Sequence, residues 1–313
     1  MAALTVVSLG GNALIPDGQG GRIEDQFRVT RDTMAQVVEL LRRGERIVLT
    51  HGNGPIVGNI LIRNEAASEI IPPTPLYICG ADSQGGIGYM AQQVLGNLLA
   101  EQGLEQDVVT IVTQTVVARS DPGFEAPSKP IGPFYSQEEA RILTAERGWK
   151  MVEDSGRGYR RVVASPEPER IVEVKTIRAL VESGRVVIAA GGGGVPVIET
   201  APGCYAGVEA VIDKDLASVV LARAVGAARL VIVTSVEHVA LHFRTPEQED
   251  LSELHLAAAK RYLDEGHFPP GSMGPKILGA VRFLEGGGEE VIITSPERLG
   301  EALAGQAGTR IMP

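Results

Sequence analysis

Three glycine clusters, Gly10-Gly11-Asn12, Gly52-Asn53-Gly54 and Gly191-Gly192-Gly193-Gly194, each follow a run of apolar, largely β-branched residues. Turns without side chains let backbone N–H groups approach a bound anion, and helix N-termini behind them add a favourable dipole. One exposed helix end contributes only about 0.3–1 kcal/mol, so holding a polyphosphate requires several loops to converge. The same glycines would also serve as tight strand–helix turns, a reading that fits one loop more easily than three. Among 29 basic residues 23 are Arg, which makes the six lysines conspicuous. Lys129 sits between Ser128 and Pro130, Lys214 between Asp213 and Asp215, and Lys276 just after Met273-Gly274-Pro275, the last two at expected helix starts. A compact ammonium suits a migrating phosphoryl group. Lys150, Lys175 and Lys260 read as solvated surface residues.

Phosphoryl transfer needs positioning and charge neutralisation more than covalent chemistry. An acceptor that is already an anion needs no base. The five histidines supply none: His51 leads a glycine loop in a backbone role, and His238, His242, His255 and His267 show no catalytic spacing. Asp213 and Asp215 suit the orienting of lysines or of a magnesium ion better than proton abstraction. The GxxxxGK[ST] loop, a GxGxxG after the first strand and the GxSxG elbow are all missing.

The elements that must position these residues follow from periodicity. Strands are expected over 4–9, 46–50, 108–114, 185–190, 229–234 and 290–294. Helices are expected over 25–43, from Pro55, over 83–101, 172–182, 215–225, 252–264 and 276–285, with a last one capped by Ser295. This alternation predicts an α/β fold: a mainly parallel central sheet with helices on both faces. At 313 residues the chain suggests two lobes, 1–205 and 206–313. The proline-rich stretch 115–170 breaks the rhythm and reads as an excursion from the sheet, a lid or a small subdomain, with Phe124, Ile131, Phe134, Tyr135 and Trp149 to fold around. In an open α/β sheet the ligand crevice lies at the carboxyl ends of the strands, where the glycine clusters fall.

Composition excludes other classes. A net charge of −10 argues against a nucleic-acid partner. No apolar run reaches the length of a membrane span, and mean hydropathy is +0.07. The N-terminus lacks the pattern of a signal peptide. Two cysteines, Cys79 and Cys204, make neither a disulfide framework nor a zinc site, and a cytoplasmic location is the simplest expectation.

With loops and lysines placed, the sequence resembles the carbamate kinases of the amino-acid-kinase superfamily. The resemblance rests on SLGGNAL (8–14), HGNGP (51–55), GYMAQQ (88–93), SKPIGPFYS (128–136), AAGGGGVPV (189–197), GVEAVIDKDLAS (207–218) and GHFPPGSMGPK (266–276). It implies an αβα sandwich catalysing ATP + carbamate = ADP + carbamoyl phosphate with Mg²⁺, in a cytoplasmic homodimer joined through the N-terminal lobe, with a place in arginine metabolism. It implies a phosphoryl and carbamate site at Gly10, Gly11, Asn12, Gly52, Asn53, Gly54, Gly192 and Gly193. Lys129, Lys214 and Lys276 would surround the phosphate with Asp215 orienting lysines, and Asp213, Thr234, Ser235 and Met273 would serve the nucleotide. The 115–170 excursion resembles the protruding subdomain that closes over carbamate. Three positions depart from the pattern: Ile56 in place of Gln, Ser235 in place of Asp, and Ser128 in place of Thr. Ile56 keeps open a related acyl-phosphate kinase with another small carboxylate acceptor, and Ser235 a non-catalytic nucleotide-sensing homologue.

Overall fold

In the computed structural model, residues 3–14, 22–154, 156–269 and 271–313 are described. Eight strands form the central sheet in the order Glu253–His255, Thr309–Met312, Glu290–Thr294, Arg229–Val233, Leu4–Leu9, Arg46–His51, Val186–Ile188, Val108–Thr110. The six from Glu290–Thr294 onward are parallel, and Thr309–Met312 turns antiparallel to them. The helices are α1 (Ile23–Arg42), α2 (Gly54–Ala66), α3 (Leu76–Glu101), α4 (Gln137–Arg147), α5 (Val174–Glu182), α6 (Lys214–Val225), α7 (Leu256–Asp264), α8 (Met273–Glu285) and α9 (Leu299–Leu303).

Strand side chains alternate between two cores, which is why the strand sequences are almost continuously apolar. Val6, Val48 and Leu230, in register, pack with α5, α6 and α8. Their neighbours Val7, Leu49 and Val231 pack with α1, α3 and α9 on the opposite face. The expected α/β fold with helices on both faces is what forms. One sheet runs through both halves of the chain, and the strand Cys204–Gly207 spans the expected boundary at 205.

The excursion is folded. Lys129–Tyr135, Tyr159–Val163 and Met151–Glu153 make a three-stranded antiparallel sheet beside α4. A separate four-stranded sheet, Cys204–Gly207, Val195–Ala201, Gln114–Val117 and Pro168–Ile171, lies at its base.

Several local expectations give way to tertiary contacts. The expected strand 108–114 breaks after Thr110, because the Gln84 side chain grips both backbone groups of Thr113 and turns the chain into the four-stranded sheet. Ser83 does not open a helix. Helix α3 begins at Leu76 behind Pro75, and the Ser83 hydroxyl bonds back to the Gly80 carbonyl. Residues 253–255 are an edge strand rather than helix, recruited by the C-terminal strand Thr309–Met312. Ser295 makes no side-chain cap, and a 3-10 turn precedes the short α9.

Candidate functional site

The carboxyl ends of Leu4–Leu9, Arg46–His51 and Val186–Ile188 bring the three glycine loops into mutual contact. The Gly10 N–H donates to the Val233 carbonyl and the Gly52 N–H to that of Leu9, so both amides extend the sheet. A Cβ on Gly52 would lie 3.2 Å from the Gly11 nitrogen, and one on Gly10 only 2.8 Å from the Val233 oxygen. These glycines permit the packing, while Gly11 and Gly54 open helical turns whose first N–H groups have no intrahelical acceptor. Asn12 lies in the first turn, and its side chain is outside the described residues. The third loop presses on the second. A Cβ on Gly191 would stand 2.3 Å from His51 Nε2, and one on Gly192, at φ +63°, 2.1 Å from Asn53 Nδ2. Only glycine fits there. The Gly193 amide is used within its own turn, donating to the Ala190 carbonyl. Asn53 is buried and donates to Ser83 Oγ at 2.8 Å.

The lysines meet at the start of α6. Asp213 caps that helix, its Oδ1 accepting from the Asp215 and Leu216 amides at 2.9 and 3.3 Å. Its Oδ2 accepts from Lys129 Nζ at 2.7 Å, across from the subdomain. Asp215 holds the other two, with Lys214 Nζ 2.6 Å from Oδ1 and Lys276 Nζ 3.1 Å from Oδ2. Lys276 is the fourth residue of α8, which begins at Met273, and its ammonium also reaches back to the Ser272 carbonyl at 3.3 Å. Thus all three predicted lysines converge on two carboxylates two positions apart.

Buried hydroxyls support the cluster. Lys214 Nζ donates to Ser8 Oγ at 2.9 Å, and Ser8 in turn reaches Asp215 Oδ1 at 3.2 Å. Ser218 Oγ lies 3.1 Å from Ser8 Oγ and 2.7 Å from Thr50 Oγ1, and it donates to the Lys214 carbonyl at 2.6 Å. Sequence reasoning did not select Ser8, Thr50 or Ser218. The available signal was a hydroxyl two residues before Gly10, and another in the turn after Lys214.

Burial alone would raise the Asp215 carboxyl, but the Lys214 and Lys276 ammoniums with their hydrogen bonds hold it well below the usual carboxylate range. Burial lowers the Lys214 ammonium; Asp215 opposes that shift and Lys276 adds to it. His51 is pushed down to about 4 by burial and by the Lys214 charge, against a hydrogen bond with the Gly52 carbonyl. It is therefore neutral at pH 7.

The remaining predicted residues are more scattered. Thr234 adjoins Gly10 and donates its N–H to the Thr294 carbonyl at 2.8 Å. Ser235 is exposed, and Met273 packs partly against the core beneath α8. Ile56 packs on the core shared by α1 and α3. Among the described residues no group of three or more His, Cys, Asp or Glu side chains could hold a metal ion. Both cleft carboxylates are engaged by lysines.

Known proteins resemble this chain along nearly its whole length. The amino acid kinase family model matches residues 3–295. The chain is 53% identical to the carbamate kinase-like protein YahI of Escherichia coli (strain K12), covering 100% of this chain and 99% of that one. It is 50% identical to the carbamate kinase of Pyrococcus furiosus, across 100% of both. The solved structure of carbamate kinase from Giardia lamblia bound to AMP-PNP superposes with a TM-score of 0.91 at 39% identity, covering 99% of this chain and 98% of that one.

Proposed function

The chain belongs to the amino acid kinase family, among its carbamate kinases, and from that membership we propose that it catalyses ATP + carbamate = ADP + carbamoyl phosphate, reversibly. The observation that carries the mechanism is the Asp215 carboxylate with one lysine on each oxygen, beside Lys129 on Asp213. Ammonium groups held in this way are oriented before the phosphoryl group arrives, and they neutralise its charge as it passes between two anions. On this reading the free amides at the turns opened by Gly11 and Gly54 would receive the phosphate and the acceptor. No general base is required, since carbamate is already an anion, and buried neutral His51 is placed to pack rather than to exchange protons.

A kinase uses ATP and ADP. Magnesium would accompany the nucleotide's phosphates and add to the neutralisation of their charge; the neighbouring carboxylates Asp213 and Asp215 are engaged by lysines. Thr234, beside Gly10, and Met273, at the head of α8, are assigned to the nucleotide side together with Asp213 and Ser235. Residues 1–205 would form the acceptor lobe and 206–313 the nucleotide lobe. A homodimer through the N-terminal lobe is supported by the exposed Ile62, Ile70, Ile71, Ile78 and Tyr89, and light scattering tests it. Two free cysteines suit a cytoplasmic setting.

The test is ATP formation from ADP and carbamoyl phosphate, with acetyl phosphate and amino-acid phosphates alongside. Carbamoyl phosphate is expected to be the donor used. Nucleotide binding without turnover, or preference for another acyl phosphate, overturns the proposal.

A further inference from the structure

The subdomain that carries Lys129 is seated on helix α2. Ile131 is buried there with Val57, Leu76, Cys79, Val163 and Val211. Beside it the backbones of Gly58 and Gly132 touch: a Cβ on Gly58 would stand 2.4 Å from the Gly132 Cα and 2.8 Å from its nitrogen. Gly132 itself holds φ +75°, where the strand Lys129–Tyr135 loses register between Ile131 and Tyr135. At the far end of α2, Glu65 pairs with Arg147 Nη1 at 2.5 Å and approaches Arg161 Nη1 at 4.0 Å. Both guanidiniums also face the ring of Trp149, at 5.3 and 4.6 Å from its centroid, and Tyr135 meets that ring edge-on at 6.4 Å. Trp149 is the one tryptophan in the chain.

Resting on the role proposed above for Lys129, we propose that Gly58 and Glu65 are positioning residues for it. Gly58 sets how closely the subdomain approaches α2. Glu65, acting through Arg147 and Arg161, holds it in that seat, so that Lys129 reaches Asp213 three residues along the strand from Gly132. A methyl at Gly58 is a wedge between two backbones that cannot yield as a flexible side chain would. Alanine is also a better helix former than glycine, so Gly58→Ala does not weaken α2 itself.

Trp149 reports the seat directly. In Gly58→Ala, acrylamide quenching of Trp149 in the free protein rises, and kcat/KM for ATP formation from carbamoyl phosphate falls by about tenfold or more, as expected for a displaced charge. Glu65→Gln removes the charge that Arg147 and Arg161 share, two partly exposed pairs, and costs roughly two- to fivefold, with Glu65→Asp recovering part of it. In a Lys129→Ala background, neither Gly58→Ala nor Glu65→Gln lowers the rate by more than about twofold further, because the residue they position is gone. Unchanged quenching and unchanged kcat/KM in Gly58→Ala overturn the proposal, as do equal losses with and without Lys129. Should the wild-type protein make no ATP from carbamoyl phosphate, the functional reading fails instead, and the quenching arm still decides whether Gly58 and Glu65 hold the seat.

Discussion

Two parts of the lysine cluster are built in different ways. Lys214 and Lys276 stand on α6 and α8 over the sheet core, with side chains 13% and 15% exposed and a shared, nearly buried carboxylate. Lys129 stands on a small antiparallel sheet outside that core, 31% exposed, and reaches a single oxygen of Asp213. The first pair is fixed by folding of the body itself. The third ammonium is delivered by a separate unit whose place depends on its own docking. In the site proposed here two charges would be ready before substrate enters, and the third would depend on the subdomain's position.

The largest effect should come from removing what the fixed pair shares. Asp215→Asn leaves two ammoniums close together without their counter-charge, and breaking such a buried pairing costs about 3–5 kcal/mol. Denaturant unfolding measures this loss, and a variant as stable as the wild type would break the contrast between the two regions. Next comes pH. His51 is held neutral in the fold, with a value of about 4 against an ordinary 6.5, so the unfolded chain binds its proton first as pH falls. Its contribution is intact above pH 6.5 and is lost between there and about 4, on the order of 3 kcal/mol in total. The depressed carboxyl of Asp215 acts lower, its stabilisation present above the ordinary Asp value near 4 and lost as pH falls below it. Thermal melts of wild type and His51→Gln should therefore diverge in slope between pH 6.5 and 4, with the variant flatter.

A smaller effect is expected from the delivered charge. Lys129→Ala should lower kcat/KM by about 10- to 100-fold, the scale of one charged hydrogen bond. Its unfolding midpoint should stay near that of the wild type, since a half-exposed pair adds little to stability. A loss of stability matching that of Asp215→Asn would show that the two regions are not distinct after all.

Much of the body was legible because its signals are local. The strands Leu4–Leu9 and Glu290–Thr294 are short, largely apolar runs, the first ended by Gly10 and the second flanked by Glu289 and Ser295, and both form as expected. Asp213 before Lys214 is a helix cap by residue type, and the structure uses it so. What escaped depends on contacts between distant parts of the chain. Ser8 and Ser218 are 210 residues apart, and no periodicity links them. The edge strand Glu253–His255 exists because the C-terminus returns to it. Ser83 carried a misleading local signal, since a hydroxyl that often caps a helix here bonds backward inside one. Helix α4 was missed although its signal was present, for Ser136 and Glu139 form a capping box visible in the sequence. Its surroundings, rich in proline and charge, masked it.

The central claim is that the fixed ammonium pair neutralises the phosphoryl group as it moves. The direct measurement is kcat for ATP formation from carbamoyl phosphate in Lys214→Ala and in Lys276→Ala, each with cooperative unfolding verified. A drop on the order of 10²–10³-fold in both is expected for removal of a preorganised charge. Full turnover in either folded variant would contradict the account.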